Sequence, residues 1–230
     1  SAVSVAEYFR DRGNDVLFFI DNVFRYAQAG SEIATITKAT PSEDGYQATL
    51  TSEMAAFHER VVSTTRGVMS SIEAIYVPSD DLLDTGVQAI YPYLDSVVTL
   101  SREVYQRGIL PAINILASGS AILSPEMVGK THYHAVIEAQ AILKKAESLE
   151  RMVALVGEAE LSTENKAMWR RSQILTHYMT QPFFVTEAQT GRRGVSVPIE
   201  KTIRDVSSII EGKYDKKNPA EFGMLGEIVL

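Results

Sequence analysis

The sequence predicts a parallel α/β sheet with helices in its first half, followed by an all-α C-terminal domain. Up to about residue 120, short apolar runs alternate with helix-like stretches, as in strand–helix–strand units. From residue 131 to 156, apolar residues recur at helical spacing instead. We therefore predict two domains, 1–122 and 123–230. The first offers few strands for an α/β sheet, so we expect that sheet to be incomplete.

Three segments of the first domain have the character of strands. The run DVLFFID at 15–21 is continuously apolar and ends in an acid, which suits a strand covered on both faces. SIEAIYV at 71–77 is the second strand, stopped by Pro78, and 97–100 is a third candidate. Helices are expected at 22–36 and 49–65.

The second domain carries three amphipathic helices. The first spans 131–156, and Ser162 is a plausible N-cap for the second. Pro198 is expected at the first position of the third, which Gly212 follows. The apolar residues expected to face inward on the second and third helices are Met168, Leu175 and Met179, and Ile199, Ile203, Val206 and Ile210.

The net charge, the cysteine count and the length of the apolar runs argue against several functional classes. The formal charge of −7 argues against a nucleic-acid-binding surface, which should be rich in Lys and Arg. With no cysteine, disulfides and thiolate metal sites are impossible. The longest apolar runs fall far short of a membrane span, so any membrane association is expected to depend on partner subunits.

Several segments resemble the β subunit of F-type ATP synthases, and they follow one another in that family's order. The longest is VAEYFRDRGNDVLFFIDNVFRYAQAGSE at 5–32, in which FIDN favours the F-type over related rotary and secretion ATPases. GYQ and IYVPSDD favour β over the non-catalytic α subunit. The further matching segments are GYQATL at 45–50, AIYVPSDDL at 74–82, LSREVYQRGILPA at 100–112, QPFFV at 181–185, GKYD at 212–215 and FGML at 222–225.

This resemblance implies the rear part of a RecA-like nucleotide-binding domain followed by the helical domain of the subunit. The parent subunit would synthesise or hydrolyse ATP, with Mg²⁺ and ATP or ADP bound at interfaces between alternating α and β subunits. A central rotor shaft would couple this reaction to ion transport. The expected location is peripheral, on the cytoplasmic face of the bacterial inner membrane or on the mitochondrial matrix face.

The resemblance also assigns roles to individual residues. Asp21 takes the place of the Walker B acid, which acts on the Mg²⁺ of Mg-ATP at the C-terminal end of its strand. Arg25 would lie near the phosphates. Tyr76 would stack on the adenine, and Phe183 would help to form its pocket, because an aromatic ring can cover the apolar face of a base.

The contact with the rotor shaft would involve Glu160 and Glu164. They lie in AELSTEN at 159–165, where the family has the acidic sequence DELSEED. Gln189 stands where the family has an aromatic residue that closes the adenine pocket, and the loop after Asp80 lacks the family's proline-rich run. These departures fall on the parts of the family's sequence that determine nucleotide affinity and rotor coupling.

The phosphate-binding loop of the family is not found in this sequence. VGKT at 128–131 resembles its end, but the pattern needs a glycine where Ser124 stands, so we interpret Lys130 as a surface residue. We therefore expect the isolated chain not to hydrolyse ATP. The alternative is a non-catalytic interaction module, or a divergent paralogue of the same fold, that docks on a partner through the loop around Glu160.

The histidines predict no metal site. His132 and His134 are two residues apart at a helix start and would point away from each other. His58 and His177 stand alone in the sequence and are expected to be ordinary polar surface.

Overall fold

The computed structural model describes residues 1–42 and 44–229, so Glu43 and Leu230 lie outside the description. The chain divides into two compact units, Ser1–Leu94 and Asp95–Leu230. The predicted boundary after residue 122 stays a prediction. The strands are β1 (Val16–Asp21), β2 (Met69–Ala74), β3 (Ser96–Val97) and β4 (Gly119–Ser120). The helices are α1 (Ala2–Asp11), α2 (Val23–Ile36), α3 (Leu50–His58), α4 (Thr85–Gln88), α5 (Arg102–Gln106), α6 (Pro125–Val128), α7 (Lys130–Val156), α8 (Thr163–Tyr178), α9 (Glu187–Thr190) and α10 (Ile199–Ile210).

The first unit is built on a parallel pair of strands. β1 and β2 pair along their whole length, from Val16 beside Met69 to Asp21 beside Ala74. The second strand was predicted at 71–77, but it begins and ends earlier. Its register explains the shift, because β2 stops where its partner β1 stops.

One face of this pair is bare. Leu17, Phe19 and Ile72 are 56%, 64% and 56% exposed. On the opposite face Ile20 packs against the unit's core, whose buried members are Val23, Ala27, Leu50, Met54 and Ile90. The expectation that the first strand is covered on both faces is therefore wrong for this chain. The helices of this unit cover one face of the strand pair, and the apolar side chains on its other face remain exposed.

Side chains set the limits of two helices in the first unit. Asn22 is the N-cap of α2, and its side chain accepts a hydrogen bond from the backbone N–H of Arg25 at 3.1 Å. Helix α3 ends at His58, well before the predicted end at residue 65. Beyond it, the carbonyls of Arg60 and Val62 accept hydrogen bonds from the buried guanidinium of Arg10 at 3.1 and 2.9 Å. These two carbonyl oxygens therefore have hydrogen-bond partners although they lie outside a helix.

The second unit begins with a short antiparallel ribbon. Ser96 pairs with Ser120, and Val97 pairs with Gly119. The third strand candidate, 97–100, is thus correct only in part. Val97 is in a strand, but that strand belongs to this ribbon and not to the parallel sheet.

Helices α7, α8 and α10 form the core of the second unit, as the periodicity predicts. Ser162 caps α8, accepting a hydrogen bond from the N–H of Asn165 at 3.3 Å. Pro198 is the N-cap of α10, one position earlier than predicted, and Ile199 is 54% exposed instead of facing inward. The side chains that are almost completely buried here include Ile174, Leu175, Tyr178, Ile209 and Phe222. A short parallel sheet with helices followed by a helical C-terminal part confirms the predicted fold class.

Candidate functional site

Asp21 is the last residue of β1 and its side chain is exposed. It follows an apolar strand in a parallel pair, and the C-terminal edge of such a sheet is where ligands of α/β proteins usually bind. Within residues 1–42 and 44–229, no side chain hydrogen-bonds to its carboxylate or forms an ion pair with it. The carboxylate is therefore free to bind a ligand from solvent.

Arg25 lies in the first turn of α2, four residues after Asp21. Its side chain is exposed, and one guanidinium nitrogen donates a hydrogen bond to the side-chain oxygen of Gln28 at 3.0 Å. The helix N-terminus adds partial positive charge at this point. The guanidinium of Arg25 and the N-terminus of α2 together favour the binding of an anion near the same edge of the sheet.

Tyr76 lies two residues beyond the end of β2, so the strand pair brings it to the same edge as Asp21. Its ring is 54% exposed. The ring packs against Phe24 of α2, with centroids 5.8 Å apart and an interplanar angle of 65°. This contact orients the ring while leaving much of its surface open to a stacking partner.

These three side chains have complementary chemistry. One carboxylate is a normal protein contribution to a Mg²⁺ ion that keeps water and phosphate ligands, and Asp21 fits that role. Among the described residues, no cluster of three His, Cys, Asp or Glu side chains could hold a metal by itself. Arg25 can pair with phosphate oxygens, and Tyr76 can stack on a base.

Phe183, the fourth predicted nucleotide residue, belongs to the second unit. It precedes a 3₁₀ turn, Phe184–Thr186, and its ring is 45% exposed. The backbone around it forms a closed loop, because the N–H of Val195 donates to the carbonyl of Pro182 at 3.0 Å. The ring is therefore held at the surface and not in the helical core.

Glu160 and Glu164, the predicted rotor contacts, flank the connection between α7 and α8. Glu160 ends a 3₁₀ turn, Glu158–Glu160, and Glu164 lies in the first turn of α8. Both side chains are exposed. Next to them the end of α7 presents apolar side chains to solvent, with Leu155 85% and Val156 55% exposed. The connection is thus both acidic and apolar.

The sequence patterns gave no hint of a polar pocket in the first unit. It has a volume of about 350 Å³ and none of the predicted site residues lines it; its walls are Gln28, Ser31, Glu32, Asp44, Gly45, Tyr46 and Asp84. The Tyr46 hydroxyl lies 2.9 and 3.0 Å from the two carboxylate oxygens of Asp84. Burial, followed by this hydrogen bond, raises the pKa of Tyr46 to about 12.

The prediction that His58 lies at the surface is wrong. Its side chain is only 6% exposed, and its Nε2 lies 3.1 Å from a carboxylate oxygen of Glu73. The partner is 15 residues away in sequence, on β2. No local pattern links a histidine at a helix end to a carboxylate on a later strand.

Comparison with known families matches almost the whole chain. Residues 1–120 match the ATP synthase alpha/beta family, nucleotide-binding domain. Residues 122–217 match the C-terminal domain of V and A type ATP synthase. The second match is to the V and A type, so it does not carry the more specific F-type β assignment.

Two solved structures have the same fold. One is described as the structure of a unique ATP synthase subunit, NeqB, from Nanoarcheaum equitans. It is 26% identical with a TM-score of 0.75, and the match covers 92% of this chain and 51% of that one. The other is the assembled ATPase EscN from the enteropathogenic E. coli type III secretion system, 22% identical with a TM-score of 0.72, covering 90% and 48%. This chain spans about half the length of either structure.

The chain belongs to the ATP synthase alpha/beta family, because the nucleotide-binding domain of that family matches more than half of its residues. In the part of the chain that the structure describes, no helix is long and apolar enough to cross a membrane.

Proposed function

We propose that this member of the ATP synthase alpha/beta family is part of a nucleotide-binding subunit of a rotary ATP synthase or ATPase. The observation that carries the proposal is the shared position of Asp21 and Tyr76 at the C-terminal edge of one parallel strand pair. An exposed carboxylate for Mg²⁺ and an exposed ring for adenine fit opposite ends of the same ligand, Mg-ATP or Mg-ADP.

In this proposal each residue has one task. Asp21 acts on the Mg²⁺ bound to the nucleotide phosphates, Arg25 pairs with the phosphates, and Tyr76 stacks on the adenine. For Phe183, the family resemblance is the ground for proposing a role in adenine binding. Glu160 and Glu164 contact a rotor shaft. The family's ring of alternating α and β subunits would supply the remaining groups, and coupling to ion transport would place the assembly at a membrane through its other subunits, on the side proposed from the sequence.

Two features favour different types of subunit. FIDN, GYQ and IYVPSDD favour the β subunit of an F-type enzyme. The helical part matches the C-terminal domain of V and A type ATP synthase. We propose the catalytic β role and take the V and A type as the competing assignment.

Nucleotide titrations of the 230-residue chain test the proposal at the level of single residues. This chain lacks the glycine-rich loop, so we expect adenosine and Mg-ATP to bind with similar, weak affinity. Stacking on an aromatic ring contributes only about 1–3 kcal/mol per base, against about 8 kcal/mol for a micromolar dissociation constant. Tyr76→Ala should abolish the residual binding, whereas Tyr105→Ala, an exposed tyrosine in the second unit, should leave it unchanged. Equal binding by Tyr76→Ala and the unsubstituted chain would remove Tyr76 from the site.

The role of Asp21 is tested in a reconstituted complete assembly. Asp21→Asn keeps the shape of the side chain and removes its charge. We expect Mg²⁺-dependent turnover to fall by orders of magnitude, because phosphoryl transfer depends on positioning and on charge stabilisation. Near-normal turnover would mean that Asp21 only ends a strand.

A second candidate is an interaction module without catalysis, which the exposed end of α7 favours. Leu155 and Val156 are apolar and exposed beside the acidic turn that ends at Glu160. A partner with a basic and apolar surface would fit there. Leu155→Ser should weaken such a complex without changing the binding of adenosine, which separates this candidate from the first.

A further inference from the structure

His58 and Glu73 form a buried pair in the first unit that the proposed nucleotide site does not use. Their side chains are 6% and 4% exposed, and the His58 Nε2 lies 3.1 Å from the Glu73 Oε2. His58 is the last residue of α3, and Glu73 lies near the end of β2. The pair therefore joins a helix to the strand that leads to Tyr76.

Both ring nitrogens of His58 face hydrogen-bond acceptors. Nδ1 lies 2.8 Å from the backbone carbonyl oxygen of Met54, and Nε2 faces the carboxylate of Glu73. A neutral imidazole has one N–H and could donate to only one of these two acceptors. The other contact would set a nitrogen lone pair against an oxygen lone pair in a buried position, which is costly.

We infer that the folded chain holds one additional proton on this pair, with His58 as an imidazolium that donates to both Met54 and the Glu73 carboxylate. The proton belongs on the ring because free imidazole, with a reference pKa near 6.5, is more basic than a free glutamate carboxylate near 4.3. Helix α3 and strand β2 are thus joined by a buried ion pair that exists only while the proton is present.

The neighbouring groups fit a cationic ring. The Tyr93 ring stacks parallel to the His58 ring at 4.5 Å between centroids with an interplanar angle of 6°. Because the face of an aromatic ring attracts a cation, the stacked Tyr93 ring suits an imidazolium at His58. The Phe57 ring is perpendicular to His58, with centroids 4.9 Å apart and an interplanar angle of 89°. The hydroxyl of Ser71 donates to the second oxygen of Glu73 at 3.0 Å, so this carboxylate is bonded through both oxygens. Among the described residues, the titratable side chains in contact with His58 are Glu73 of β2 and Tyr93 of the turn Tyr91–Tyr93.

The pair makes the first unit sensitive to pH. Above about pH 6.5 an unfolded histidine is mostly neutral, so folding must take up the proton that the pair holds. Where the folded state binds more protons than the unfolded state, stability falls as the pH rises. The expected sign is therefore a loss of stability of the α3–β2 contact on the alkaline side of neutrality, with or without nucleotide.

Nitrogen-15 NMR of the histidine rings in the complete chain tests the protonation state directly. At pH 7.5 we expect the His58 signals to show protons on both Nδ1 and Nε2. The His58 signals are assigned by their disappearance in His58→Gln. If that variant does not fold, they are assigned by elimination, from single His→Gln changes at the other three histidines. A neutral His58 ring at this pH, with either Nδ1 or Nε2 unprotonated, would overturn the inference.

A second experiment measures the proton linkage. In urea unfolding followed through the amide signals of β1 and β2, the unfolding equilibrium constant should rise by up to about tenfold per pH unit between pH 7 and 8.5. His58→Gln and Glu73→Gln, which remove one titrating partner each, should both flatten this dependence. His177→Gln, a matched change in the second unit, should not. Identical pH slopes for the unsubstituted chain and both pair variants would contradict the inference, whatever the result of the nucleotide titrations.

Discussion

The helical core of the second unit and the strand pair of the first differ in how completely they bury apolar side chains of the same kind. Phe222 is completely buried among α8, α10 and their neighbours, whereas Phe19 is 64% exposed on the bare face of β1. Helices adjacent in sequence can cover one another. A parallel pair needs further strands or helices on both faces, since parallel sheets are normally buried on both sides.

This difference in burial arises because the helices of the second unit pack against one another, whereas the strands of the first unit lack a cover on one face. α7, α8 and α10 find their partners within the same hundred residues, and their apolar stripes become one core. The residues of β1 are equally apolar, but the elements present shield only one face. The apolar content of a segment therefore predicts how much of its surface favours burial, but it does not predict how much of that surface this chain covers.

The largest effect is expected from a matched pair of phenylalanine substitutions. Phe222→Ala should destabilise the second unit by about 3–5 kcal/mol, because it leaves a cavity in a fully packed core. Phe19→Ala should change the stability of the first unit by no more than about 0.5 kcal/mol, as for exposed positions. Circular dichroism during urea unfolding measures both, and Trp169 fluorescence follows the second unit separately. Equal losses would mean that the bare face is covered in solution.

A buried carboxylate of the second unit gives the next largest effect. Asp205 is 2% exposed; it accepts hydrogen bonds from the Tyr178 hydroxyl at 3.1 Å and from the backbone N–H of Ile228 at 2.8 Å. Arg204 donates to its other oxygen at 2.8 and 2.9 Å. Asp205→Asn turns one acceptor into a donor facing Arg204. We expect a loss of about 1.5–3 kcal/mol, the range for bonds to charged groups.

The control for this change is Glu200→Gln on the same helix, at an exposed position. It also removes one negative charge, but an exposed carboxylate in the first turn of a helix contributes only about 0.3–1 kcal/mol, so the loss of stability should be clearly smaller than for Asp205→Asn. If both variants lose the same stability, the loss reflects net charge and not the bonds of Asp205.

The helices were the part of the fold that the sequence predicted best, because α7 repeats its apolar positions over 27 residues and Ser162 marks the start of α8. The strands were predicted less well. β2 is limited by the length of β1, which no residue of β2 reveals. For the site, the sequence placed Asp21 and Tyr76 at strand ends, and the strand pair brings these ends together. His58 and the Tyr46–Asp84 contact escaped prediction because their partners lie 15 and 38 residues away, respectively.

A smaller, pH-dependent effect is expected from Tyr46. Its pKa in the folded chain is raised to about 12 by burial and by the hydrogen bond to Asp84, whereas an unfolded tyrosine titrates near 10. The stability contributed by the neutral hydroxyl is therefore fully present below about pH 10 and is lost as the pH rises towards 12. Tyr46→Phe should cost about 1 kcal/mol near neutral pH. It should also remove this alkaline loss, measured by urea unfolding of the first unit from pH 9 to 12. An unchanged alkaline dependence would assign the loss to another group.

The smallest effect should come from the carboxylate at the end of β1. Asp21 is exposed, and no described side chain pairs with it, so Asp21→Asn removes no stabilising contact within this chain. We expect the free energy of unfolding to change by less than about 0.5 kcal/mol, the usual range for exposed positions. Asp205→Asn in the second unit is the direct contrast, since it makes the same chemical change at a bonded, buried position. A loss above about 1 kcal/mol in Asp21→Asn would show that this carboxylate holds the fold together, and the case for a ligand-binding role would weaken. A neutral result, together with a severe loss of turnover for the same change in a complete assembly, would separate function from stability at this residue.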